Sequence, residues 1–283
     1  MRRPIFLSLL ISLLVGCGDT SSTVQPIAQV GDRPVRIISL DFCADQYVLK
    51  LVDRDRILAV SPDADADFSY MRKSAHGLKT VRPIAEDALV LKPDLVVRSY
   101  GGGANAAQFF ERAGVPVLNV GWASDIGSVK RVILEMADGL GESERGQRVV
   151  AEMDARLLAL RNSRREKALY MTPAGVTTGS GSLVHEMLLA ANLENFQTQP
   201  GWRSIPLERL AYEQPDMVVA AFFDTKTNHP DAWSAMAHPI ARAQLHDRPS
   251  VSLNGAWTAC GGWFLMDAIE ALARRQTTRI GDE

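Results

Sequence analysis

One fourteen-residue pattern occurs twice in this chain, and the repetition constrains what the chain can become. Residues 84–97 read IAEDALVLKPDLVV and residues 206–219 read PLERLAYEQPDMVV. Glu86, Pro93, Asp94, Val96 and Val97 fall on Glu208, Pro215, Asp216, Val218 and Val219. Each copy places a short helix after the Glu. Pro-Asp then ends it, because proline disfavours helix at the residue before it and cannot continue one. The β-branched run that follows enters a buried strand. The distance between the copies far exceeds the period of a stacked repeat, so two similar lobes are expected rather than a solenoid. Chance likeness between αβ units explains the apolar runs but not the shared Glu spacing.

The N-terminus stands apart from this pattern. Arg2 and Arg3 precede an apolar run over 5–15, too short to span a bilayer, which reads as an export signal. Leu14-Val15-Gly16-Cys17 resembles a bacterial lipobox, with Cys17 as the lipid-bearing residue of the cleaved chain. Residues 18–34 are polar and read as a tether. A net charge of −2 gives no basic balance for nucleic acid. Without Cys17, Cys43 and Cys260 remain. They fit a disulfide, two separate buried small residues, or thiols near a ligand.

Along the first half, strands are expected at 35–40, 57–60 and 115–120, with helices at 44–52, 104–113 and 126–140. In the helix at 104–113, Phe109 and Phe110 are both expected inward. Asp63, Asp65 and Asp67 superficially resemble a calcium loop, but the turn glycine and closing Glu are missing. Gly101, Gly102 and Gly103 lack phosphate-loop spacing. A long helix over about 143–162 separates the halves and serves as a stiff connector. In the second half, strands are expected at 168–171, 218–223 and 250–253, with helices at 183–191 and 263–274. His229, His238 and His246 fit no closed zinc motif, and no metal site is expected.

The runs RIISLDFCADQYVLKLVDRDRILAVS, EDALVLKPDLVV and FFERAGVPVLNV resemble the first lobe of the periplasmic substrate-binding proteins for cobalamin, haem and ferric siderophores. PLERLAYEQPDMVV through DAIEALAR resembles their second lobe. The resemblance covers 35 to 274. It implies an α/β fold of two lobes with central, mainly parallel sheets, joined by one long rigid helix, with the ligand cleft between them. The expected division is a signal peptide at 1–17, a tether at 18–34, a first lobe at 35–141, a connecting helix at 142–165 and a second lobe at 166–283. The implied partner is an ABC permease dimer in the inner membrane, met by one glutamate on each lobe. By motif position these are Glu86 and Glu208. A monomer without a resident cofactor is expected, held in the periplasm or cell envelope by a lipid anchor.

In such a fold the ligand contacts come from loops that follow strands. The candidates are Asp41, Phe42, Cys43, Arg98, Tyr100 and Trp122 in the first lobe, and Arg203, Trp257 and Trp263 in the second. The aromatics offer flat faces to a macrocycle or chelate, and the arginines suit an anionic one. Cys43 and Cys260 fall in such loops, one per lobe, which leaves a covalent clamp or a pair of soft ligand contacts open beside separate burial. The expected function is capture of a metal chelate, a ferric siderophore or cobalamin-type corrinoid, for import without turnover. An exported αβ hydrolase is the rival, drawing on Ser180, Ser182 and His185, but the serines lack a nucleophile elbow. A ligand sensor of the same fold is a third reading.

Overall fold

The computed structural model describes residues 33–160, 165–222 and 234–274. Cys17 and His229 lie outside the described residues. The first lobe runs β1 (Ile37–Ser39), α1 (Phe42–Leu51), β2 (Ile57–Ala59), α2 (Arg72–Ala75), α3 (Ala85–Val90), β3 (Leu95–Arg98), α4 (Ala106–Arg112), β4 (Val117–Asn119) and α5 (Ile126–Gly139). Helix α6 (Ser143–Leu158) leads to the second. That lobe contains β5 (Glu166–Met171), β6 (Val176–Thr178), α7 (Leu183–Ala190), β7 (Leu193–Asn195), β8 (Trp202–Ser204), α8 (Leu207–Leu210), β9 (Met217–Ala221), α9 (Pro239–Asp247), β10 (Ser250–Leu253) and α10 (Leu265–Arg274).

Each lobe is built on a four-stranded parallel sheet, ordered β2-β1-β3-β4 in the first and β7-β5-β9-β10 in the second. The orders correspond strand for strand, and the repeated segment supplies the same internal strand in both, β3 and β9. Its Pro-Asp has a definite task. Asp94 accepts the backbone N–H groups of Val35 (2.9 Å) and Arg36 (3.0 Å) at the entry to β1. Asp216 accepts that of Lys167 (2.7 Å) in β5. The carboxylate thus fixes the entry of the lobe's first strand against its neighbour. The second lobe adds the antiparallel ribbon β6–β8, which has no counterpart among the described residues of the first.

Helix α6 is tied to both lobes. At its N-cap, Glu142 forms a buried ion pair with Arg56, whose Nη2 also donates to the Leu140 carbonyl (2.8 Å). Near its C-terminal end, Arg156 bridges Asp267 (2.6 Å) and Glu270 (2.7 Å) of α10. The apolar core continues across the same junction, from Tyr47, Ile133 and Met153 to Met187, Phe264 and Ile269. The connector is therefore a packed strut.

Local sequence explains most departures from the expected elements. The first helix begins at Phe42, ahead of the expected 44, because the Asp41 side chain caps it by accepting the Ala44 N–H (2.9 Å). In α4 only Phe110 turns inward, fully buried, while Phe109 is 40% exposed. Adjacent residues are about 100° apart on a helix and cannot both face a narrow core. Residues 239–247, where no helix is expected from the sequence, form α9. Pro239 starts it, and His238 Nδ1 caps it by accepting the Ile240 N–H (3.2 Å).

Asp45 in α1 is fully buried among polar groups. Ser39 Oγ, Ser61 Oγ (2.6 Å) and the Ser61 N–H (3.1 Å) donate to its carboxylate. Burial pushes its pKa up to about 6, with Asp41 adding to the rise and the serine bonds opposing it. The folded state thus binds this proton more tightly than the unfolded chain does. The resulting stability is complete below about pH 4 and is lost as pH rises through about 6, about 3 kcal/mol in all. Glu270, whose pKa Arg156 lowers, acts in the opposite direction and only below the ordinary carboxylate range. Urea unfolding from about pH 4.5 to 7.5 should lose about 2 kcal/mol through Asp45, and Asp45→Asn should remove that slope. An unchanged slope in the variant would refute the assignment.

Candidate functional site

Between the lobes lies an open cavity of about 380 Å³, within the usual range for small-molecule sites. Tyr100, Val120, Trp122 and Ser124 line it from the first lobe, and Ser182, Leu183 and Trp202 from the second. Cys43, Tyr47, Cys260 and Gly261 line it where the lobes meet. Among the described residues that line the cavity, none is charged.

The Tyr100 wall is braced from behind. Asp41 Oδ2 accepts three consecutive N–H groups, from Ser99 (2.7 Å), Tyr100 (3.0 Å) and Gly101 (2.9 Å). Arg98 donates to the carbonyls of Gly101 (2.7 Å), Gly103 (3.1 Å) and Tyr100 (3.3 Å). An acid and a base thus satisfy opposite sides of one loop. Gly101 permits this close packing, since a Cβ there would lie 2.3 Å from the Leu40 carbonyl oxygen. Phe42 packs edge-on against Tyr100 (6.2 Å) and Phe68 (4.9 Å). Desolvation raises the Tyr100 phenol to about 12, with nearby Asp41 adding to it, so the ring is neutral at physiological pH.

Trp202 comes from the ribbon, where it pairs with Thr178 across β6–β8 and rests edge-on against Tyr170 (6.2 Å). The ribbon is seated by Gly179, whose added Cβ would lie 1.9 Å from the Gln199 carbonyl oxygen. Trp122 is 86% exposed, Trp202 57% and Tyr100 56%. Isolated exposed aromatics are ordinary. Three on one cavity leave a large apolar area open to a flat ligand.

Cys43 and Cys260 form a disulfide with Cα atoms 5.7 Å apart. One turn further along α1, the Tyr47 hydroxyl donates to the Gly261 carbonyl (2.7 Å). Trp263 packs edge-on against Tyr47 (5.8 Å), and Tyr70 stacks on Phe264 (4.9 Å) and donates to Asp267 (2.7 Å). The lobes therefore meet along a bonded and packed seam behind the cavity.

Of the residues singled out in the sequence, Cys43, Tyr100, Trp122, Ser182 and Cys260 line the cavity. Asp41, Phe42 and Arg98 support that wall from behind. Arg203 is exposed, with its Nε donating to the Pro200 carbonyl (3.0 Å). Trp257 packs partly buried on the core, and Trp263 lies within it, buried. Tyr47, Ser124, Trp202 and Thr258 are cavity residues that the sequence did not single out individually. Ser182 caps α7 by accepting the His185 N–H (3.2 Å), while its hydroxyl donates to the Gly179 carbonyl (2.9 Å). His185 Nδ1 lies 3.2 Å from Asn195 Nδ2. Serine and imidazole are thus directed to different partners, contrary to what a hydrolase requires. Among the described residues, no group of three or more His, Cys, Asp or Glu side chains is placed to hold a metal ion.

Glu86 and Glu208 are exposed in the first turns of α3 and α8, the equivalent helices of the two lobes. Neither takes part in an ion pair among the described residues. A hollow of about 360 Å³ flanks Glu86, lined by Pro83, Ile84, Gly103 and Phe109.

Two parallel-sheet lobes, joined by one packed helix and facing each other over an open aromatic cavity, define a solute-binding architecture. The chain belongs to the periplasmic binding protein family, whose pattern matches residues 37–232. Among solved structures, it is similar to the periplasmic heme-binding protein RhuT from Roseiflexus sp. RS-1 in apo form, with 19% identity, a TM-score of 0.66, and coverage of 85% of this chain and 97% of that one. It is similar to the periplasmic heme-binding protein HutB of Vibrio cholerae, with 20% identity, a TM-score of 0.67, and coverage of 85% and 98%. A periplasmic binding protein from Veillonella parvula gives 15% identity, a TM-score of 0.70, and coverage of 89% and 94%. At these identities the likeness is one of fold. No curated protein matches the chain.

Proposed function

We propose that this protein captures a compact metal chelate with a flat, uncharged face and delivers it to an ABC permease dimer in the inner membrane. The carrying observation is the convergence of Tyr100, Trp122 and Trp202 on a cavity whose described lining has no charged side chain. A corrinoid, rimmed by amides, suits such walls. A multiply anionic ferric siderophore, or the carboxylates of haem, would find no cation among the described lining residues to pair with. The hydroxyls of Ser124 and Tyr100 supply neutral hydrogen bonds for an amide rim. On this reading the protein is a monomer, anchored by lipid at Cys17 through the tether 18–34.

Native mass spectrometry and an absorbance spectrum of protein from its own envelope test the ligand. A bound corrinoid is expected. A porphyrin or ferric chelate in its place would overturn the corrinoid assignment. Failure to bind cyanocobalamin, haemin or a ferric siderophore would overturn chelate capture altogether.

Glu86 and Glu208 are the proposed docking pair. Each is exposed on an equivalent helix without an ion pair among the described residues, and the hollow beside Glu86 offers an apolar seat next to the charge. Complementary charge sets register and association rate more than raw affinity. The double variant Glu86→Arg, Glu208→Arg should lose at least about tenfold in permease-dependent uptake while ligand affinity stays unchanged. Uptake equal to wild type would remove both residues from docking.

A further inference from the structure

We propose that the Cys43–Cys260 cystine is a specificity-determining part of the cleft: it holds the Tyr100–Trp122 wall and the Trp202 wall at a fixed spacing, and so limits the thickness of ligand admitted. The inference rests on the reading of this cavity as the binding site. It goes further by assigning the selection of ligand size to a covalent bond.

Three observations carry it. The cystine lines the cavity itself, and its two halves come from different lobes. Cys43 lies in the first turn of α1, while Cys260 lies in the loop between the short turn Gly255–Trp257 and α10. Next, the bond is one tooth of a zipper. Cys43 and Tyr47, four residues apart on one helix face, engage the consecutive residues Cys260 and Gly261. Of the two, the covalent tooth is one helical turn nearer the start of α1. Lastly, the other contacts along the seam are of a kind that exchanges. The Tyr47–Gly261 and Tyr70–Asp267 hydrogen bonds, the ring contacts of Trp263 and Phe264, and the pairing of Arg156 with Asp267 and Glu270 can all part and re-form. Local opening breaks such contacts routinely. It does not break a disulfide. Hinge opening at the cavity edge of this seam is therefore prevented while the cystine stands, and the aperture between the aromatic walls is set.

The test compares three forms of the full chain: oxidised wild type, the Cys43→Ser/Cys260→Ser double variant, and wild type reduced after folding with dithiothreitol. Far-UV circular dichroism and thiol counting confirm fold and redox state, and the reduced wild type serves if the variant does not fold. Hydrogen exchange reads the seam at 42–51 and 258–266 without any ligand. Dissociation constants for cyanocobalamin and haemin, chosen as probes of different thickness, read selectivity. Loss of the bond should speed exchange in the two seam segments by about tenfold through local opening, while β3 and β9, which open only with the whole fold, report the accompanying loss of overall stability. It should also shift the ratio of the two dissociation constants by about tenfold. Unchanged exchange would overturn the fixed aperture. Faster exchange with an unchanged ratio would overturn the role in specificity. If neither probe binds the oxidised protein, the functional reading fails, and the exchange comparison alone decides whether the cystine sets the aperture.

Discussion

Opening the Cys43–Cys260 bond should lower the unfolding free energy by about 5 kcal/mol at the chain-entropy ceiling, a very large single loss for one bond. The figure follows from the sequence separation of 217 residues, since the closed loop contains most of both lobes. Removal of native disulfides commonly costs about 2–5 kcal/mol, because the unfolded chain is not ideal. In thermal unfolding the loss corresponds to a fall of roughly 10–20 °C. The measurement is a pair of urea curves, oxidised wild type against the Cys43→Ser/Cys260→Ser variant, with reduced wild type as a third. A difference under about 1 kcal/mol would show that the seam behind the cavity already supplies the constraint in the unfolded ensemble.

The second large effect concerns binding alone. Trp122→Ala and Trp202→Ala should each weaken cyanocobalamin binding by about 30-fold, the scale of an aromatic anchor worth about 2 kcal/mol. The double variant should lose more than either single, though not the product, because both rings would face one ligand. Stability should barely change for Trp122, which is 86% exposed and has little packing to lose. Trp202 also rests on Tyr170, so a small fall is expected there. Isothermal titration against the same probe reads both. Wild-type affinity in the double variant would show that the ligand does not lie against these walls.

Much of the architecture could be read from the chain because it depends on local chemistry. Glu, Pro-Asp and a β-branched run mark β3 and β9 in order, and Asp94 and Asp216 make the same kind of backbone bond in each lobe. The connecting helix shows as periodic apolar residues that follow the breaks at Gly139 and Gly141. The cavity was harder to read, for identifiable reasons. Arg98 follows a buried strand, as a ligand-binding arginine would, but its own loop offers three carbonyls and captures it. Arg203 and Trp202 are neighbours on β8, and adjacent strand residues point to opposite faces. A correct segment therefore still yields the wrong side chain. The β6–β8 pairing joins strands of three residues each, too short for alternation to reveal them. Cys43 and Cys260 fall in suitable loops, but pairing over 217 residues depends on how two lobes meet, which no local pattern encodes.

A cavity whose described lining carries no charge also bears on the conditions under which the proposed capture can work. Attraction between ions weakens as dissolved electrolyte accumulates, whereas contact between aromatic faces and a flat guest does not depend on it. The space outside the inner membrane shares its small ions with the surroundings. On the proposed reading, grip through ring contact and neutral hydroxyls would hold as steadily in brine as in fresh water, leaving only the proposed docking through Glu86 and Glu208 sensitive to salinity.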